Sequence, residues 1–151
     1  MNTKPFVLKP VKLFQIRWRE GLGLRECPYM YRWIWNFGLF SLRIHKWIRS
    51  DDKRHFHNHP WNFLTFVIKG SYTDVSLNTN NGEVTWDKLK RFSIRYRPAS
   101  HMHYVDVPKE GAWTIMITGP KAQKWGFWVN NHLWRPLRFF HKYGHPPCSE
   151  Q

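Results

Sequence analysis

Apolar and polar residues alternate along this chain in short runs, and no stretch carries the 3.6-residue period of a long helix. Residues 41–49 place Leu42, Ile44 and Ile48 on one side and Arg43, His45 and Trp47 on the other, which predicts a strand. Residues 63–68 form a continuous apolar run ended by Lys69-Gly70, the mark of a short buried strand. Residues 72–77 follow as its neighbour. Asn81-Gly82 then signals a hairpin whose return strand starts at residues 84–86. Residues 91–97 alternate again, with Phe92, Ile94 and Tyr96 opposite Arg91, Ser93, Arg95 and Arg97. Further short strands are expected at 103–107, at 113–118 (Trp113, Ile115 and Ile117 on one face) and at 125–129. Toward the N-terminus, residues 11–18 read as an edge strand or an arm, and 21–28 as a loop. The aromatic stretch 29–40 fits either type of element.

Roughly eight short strands with turn signals between them indicate a β-barrel or sandwich. A chain of 151 residues is the size of one domain. The expected division is therefore a single domain over 1–151, with a barrel at about 41–129, an irregular N-terminal arm and a C-terminal tail. No apolar run approaches the ~20 residues that span a membrane. The first ten residues lack the apolar stretch of a signal peptide, so a soluble, cytoplasmic protein is expected. Cys27 and Cys148 are the only cysteines, which excludes a disulfide scaffold; two free thiols suit a reducing cytoplasm.

Charge and aromatic content narrow the partners. Lys and Arg outnumber Asp and Glu by 24 to 10, a formal net charge of +14. Such a surface attracts small anions, and nucleic acid non-specifically. No zinc-finger or helix-turn-helix pattern is present to read bases.

The chemistry concentrates in His55-Phe56-His57-Asn58-His59-Pro60-Trp61. On an extended chain, side chains two apart point the same way, so His57 and His59 can share one metal ion. A third histidine lies in Arg97-Pro98-Ala99-Ser100-His101-Met102-His103. Asp51-Asp52 offer carboxylates to orient imidazoles, although a solvated turn is the plainer reading. His45 lies on the polar side of its strand and is expected to be exposed.

These two segments resemble the two-part signature of the cupin superfamily. His57-x-His59 with Gly70 matches the first motif, and Pro98 to His103 has the spacing of the second. The stretches 57–63, 118–120 and 125–128 also resemble uncharacterised cupin-like proteins of bacteria and phages. The resemblance implies a small jelly-roll β-barrel with a divalent transition metal on His57, His59 and His103, and His101 as reserve ligand. Phe63 stands where the motif has its glutamate, and Ser100 where it has a glycine. Three histidines without the glutamate look like the site of thiol dioxygenases and related cupins, which favours Fe(II), with Zn, Ni or Mn as alternatives. Arg97, Arg95 and Trp61 are the candidates for holding a small anionic substrate, and a homodimer is implied by resemblance alone. Two functions follow: a three-histidine, oxygenase-like enzyme, or a non-catalytic barrel that sequesters an anionic ligand or docks on nucleic acid.

Overall fold

The computed structural model describes residues 4–6, 12–145 and 148. In chain order these residues form β1 (Gln15–Leu24), β2 (Cys27–Asn36), β3 (Ser41–Trp47), β4 (Phe63–Gly70), β5 (Tyr72–Leu77) and β6 (Val84–Leu89). Then follow β7 (Ile94–Arg97), β8 (His103–Asp106), β9 (Ala112–Thr118), β10 (Phe127–Val129), β11 (His132–Trp134) and the short helix α1 (Pro136–Tyr143). One sheet has six strands in the order β1-β2-β3-β9-β4-β7, all paired antiparallel. Facing it are the β6-β5-β8 sheet and the β10-β11 hairpin, and the extended chain at His57 bridges to both His103 and Phe127. The result is a two-sheet all-β barrel, as the alternation predicts.

The alternation is also right about which residues share a face, but the polarity of the faces is inverted. Ser41, Arg43, His45 and Trp47 are buried, and they line the interior together with Thr65, Thr114 and Thr118. Ile16, Trp35, Leu42, Ile117, Leu64 and Tyr96 lie side by side across all six strands on the outer face. Of these, Ile16, Leu64, Tyr96 and Ile117 are exposed. His45 is therefore buried, not exposed, because the face of β3 that carries it lines the cavity inside the barrel. The apolar core sits at one end, around Met30, Trp47, Val67, Tyr72, Leu89 and Val105. A second cluster packs Phe127 and Val129 of β10 against Phe139 of α1.

Three further expectations change. The segment 21–28 is not a loop: β1 runs through Gly21 and Gly23, and the turn is at Arg25-Glu26. Gly21 leaves room for the Phe6 ring, and Gly23 stands at a register shift with φ +98°, so both glycines serve a strand. The N-terminal region thus enters a regular strand at Gln15. The tail contributes β11 and α1. Finally, Cys27 and Cys148 are joined in a disulfide with Cα atoms 5.7 Å apart, so neither is a free thiol. The bridge removes the thiol argument for a cytoplasmic protein. Among the described residues no helix is long and apolar enough to cross a membrane.

Gly70 ends β4 at φ +74°, where an added Cβ would strike the carbonyl oxygen of Gly111. Gly82 has the same φ of +74° but open space around it. The left-handed conformation costs a non-glycine residue about 1–3 kcal/mol. Gly82→Ala carries that strain alone, whereas Gly70→Ala adds a backbone collision. Thermal denaturation should show the larger drop in Tm for Gly70→Ala; equal drops would mean that the β4–β9 approach is not tight.

Candidate metal centre

The segment between β3 and β4 is held extended by its neighbours. His57 N–H donates to His103 O (2.8 Å), and His103 N–H donates back to His57 O (2.9 Å). On the other side Asn58 N–H donates to Gly126 O (3.1 Å), and Trp128 N–H to Phe56 O (2.7 Å). The Asn58 side chain points away from the cavity, accepting from Gly126 N–H (2.8 Å) and donating to Lys124 O (3.2 Å). With Asn58 pinned outward, the pleat turns its neighbours His57 and His59 inward. The turn before β8 is fixed in the same way, since Asn62 Oδ1 accepts from Ala99 N–H at 2.7 Å.

His57, His59 and His103 consequently converge. One ring nitrogen from each lies within 4.8 Å of the others. The ring centroids form a nearly equilateral triangle of 5.2, 5.0 and 5.1 Å. Burial, and then the neighbouring His103, hold His57 and His59 well below the ordinary histidine range, so both are neutral with lone pairs available. Phe63, at the position of the motif glutamate, is buried with its ring 4.8 Å from that of His59. The fourth side of the triad is thus apolar. Three convergent imidazoles suit a divalent transition metal.

Asp74 of β5 supports the site. Its Oδ1 accepts from His103 Nδ1 (3.0 Å), and His101 Nε2 lies 3.1 Å from the same atom. Its Oδ2 pairs with Arg97 Nε at 2.9 Å. Burial alone would raise this carboxyl. The electrostatic attraction of His103 and the hydrogen bonds from His101 and His103 outweigh burial and hold it ionised, far below the carboxylate range. A proton held on His103 Nδ1 leaves Nε2 free to face the triad, where it lies 2.9 Å from His59 Nε2. His101 is thus brought to Asp74 rather than to His57 and His59. A second conceivable ligand set, Asp74-His101-His103, shares His103 with the first. Its carboxylate is already engaged by Arg97 and both imidazoles.

The other candidates separate. Arg97 is held by Asp74 and by Asp87 (Nη2–Oδ2, 2.7 Å), and Arg95 by Asp87 (Nε–Oδ2, 2.8 Å). Trp61 stacks on His59 with ring centroids 5.0 Å apart and planes 14° apart. Asp51 and Asp52 are buried rather than solvated. Asp51 accepts from Val105 N–H (2.8 Å), lies 3.7 Å from His57 Nε2, and is pushed up to about 7 by burial. The site opens into a cavity of about 760 Å³. Asp74 was open to discovery in the sequence, as an acid on the same strand face as buried Tyr72; its partner His103 was not, because pairing depends on β5–β8 register.

No family model matches this chain, and no curated protein matches it. Its backbone does match solved structures. Bacillus subtilis oxalate decarboxylase at pH 4.6 superposes with a TM-score of 0.56 and 13% identity, over 85% of this chain and 31% of that one. The same enzyme in a study of its Mn(II) centres gives 0.54 and 13%, over 90% and 36%. Both are cupin-fold proteins. The fold is of the cupin type. The chain spans about a third of the length of these decarboxylases. At such identity the likeness shows the cupin fold alone, and nothing in it bears on the resemblance to phage and bacterial proteins.

Within this cupin barrel, Asp74→Asn should weaken divalent-metal affinity about 10–100-fold, the usual effect of removing an outer-shell partner. Competition with a chromogenic chelator measures it. An unchanged affinity would show that Asp74 does not orient His103.

Proposed function

We propose that the protein holds one divalent transition metal on His57, His59 and His103 and uses it on a small anionic ligand. The observation that carries this reading is the convergence of three imidazoles on the wall of the barrel cavity. Three protein ligands leave coordination positions open, which suits a catalytic rather than a structural ion. The absence of a carboxylate at Phe63 supports Fe(II) and an oxygenase-like reaction by its likeness to three-histidine cupins. The oxalate decarboxylase of similar fold carries Mn(II). A bound ion would supply Lewis acidity and sites for substrate and dioxygen. The chain's own part is orientation and water exclusion. Asp74 fixes the tautomer of His103, Asn58 and Asn62 fix the two loops, and Phe63 and Trp61 close the apolar sides of the triad.

A barrel that binds an anion without turnover is the second reading, favoured by the net charge of +14. Both readings share the metal, and a test of metal content comes first. Protein purified without chelator under reducing conditions should carry close to one metal per chain by elemental analysis, and His57→Ala with His59→Ala should remove it. Metal-free wild-type protein that also fails to take up added Fe(II), Mn(II) or Zn(II) would overturn the metal. Oxygen consumption by the Fe(II)-loaded protein with a carboxylate substrate panel then separates enzyme from binding module.

A further inference from the structure

The interior face of β3 carries a cation that the metal centre does not use. Arg43 is 6% exposed, and its Nε donates to Ser41 Oγ at 2.9 Å. Its guanidinium lies 4.3 Å over the ring of Trp61, the same ring that stacks on His59. No carboxylate pairs with it among the described residues. The nearest acid, Glu20, is occupied: Oε1 by Arg17 at 2.8 Å and Oε2 by Arg32 at 2.6 Å. Of the other buried carboxylates, Asp74 is allocated to Arg97 and Asp52 to Arg54, and Asp51 accepts from Val105 N–H and faces His57. Two residues along β3, His45 is buried with neither ring nitrogen hydrogen-bonded. Arg32, Arg43 and His45 all line the cavity.

A buried guanidinium without a counter-charge costs several kcal/mol, and an unpaired buried imidazole N–H adds to that cost. Both costs vanish when an anion sits between them. We propose that Arg43 and His45, with Arg32 behind them, form an oxyanion subsite that takes the carboxylate of a small ligand, one indole ring away from the histidine triad. The rest of the cavity wall near the subsite includes Trp47, Phe63 and Met116, so the ligand has an apolar body. Burial brings the Arg43 guanidinium down to about 9, with the Arg32 charge adding to the effect, which is the response of a cation lacking a partner. The inference rests on the reading of the barrel as an anion-binding cavity, but it does not require the metal.

The test therefore uses chelator-stripped protein, titrated by calorimetry with benzoate, acetate and inorganic phosphate. Benzoate should bind best, because it adds an apolar body to the shared oxyanion. Arg43→Gln should weaken benzoate binding about tenfold or more, the scale of a lost charge-assisted hydrogen bond. Arg43→Lys should recover part of it, and Lys109→Gln, an exposed control outside the cavity lining, should leave it unchanged. Should Arg43→Gln fail to fold, Arg43→Lys against wild type decides, with several-fold weaker binding expected. No benzoate or phosphate binding at millimolar concentration would overturn the subsite. So would Arg43 variants that bind like wild type, or equal losses in Arg43→Gln and Lys109→Gln. Phosphate binding tighter than benzoate would overturn the apolar-body assignment. Metal content is measured on the same preparations before stripping, so failure of the metal centre is seen separately from failure of the subsite.

Discussion

The reciprocal backbone hydrogen bonds between His57 and His103 are the contact on which the site depends. A segment with no strand partner of its own is clamped between β8 and β10, and the two motifs that are distant in sequence are brought into register. Once that pairing is made, strand geometry does the rest: His57 and His59 face the lumen and Asn58 faces away. Asp74 then completes the arrangement from the neighbouring strand, by fixing the His103 tautomer and by balancing Arg97. Loss of the pairing would misplace the imidazoles together, whereas loss of Asp74 would misorient only one of them.

The second constraint is electrostatic. Taking charges out of water is tolerable only when they are paired. The interior of this barrel obeys that rule around Asp74, Asp52 and Glu20 and departs from it at Arg43, beside which the buried His45 ring is left without a hydrogen bond. On the large sheet the polar positions of β3 and β9 turn inward, and the apolar row from Ile16 to Tyr96 lies on the outer face. The polar groups this places on the cavity wall suit a charged ligand, while the apolar core fills one end of the barrel.

The strands from residue 41 onward were legible in the sequence because period two survives whichever face is buried. Which face turns inward was not legible. Arg43 and His45 look like a solvated side until the barrel closes around them. Gly21 and Gly23 misled because a glycine in a strand and a glycine in a loop leave the same trace; only the Phe6 ring and the register shift tell them apart. The histidine triad was readable from spacing and from resemblance. The roles of Asp74 and Arg97 were not, since both depend on contacts across strands far apart in sequence, as does the Cys27–Cys148 bridge.

The central claim is that the three imidazoles, and not the carboxylate beside them, hold an ion. Anomalous diffraction from a crystal loaded with Mn(II) tests it most directly. The account predicts one anomalous peak within bonding distance of His57, His59 and His103, with Asp74 hydrogen-bonded to His103 and outside the ion's coordination. A peak among Asp74, His101 and His103, or no peak at all in crystals grown with the metal, would contradict it.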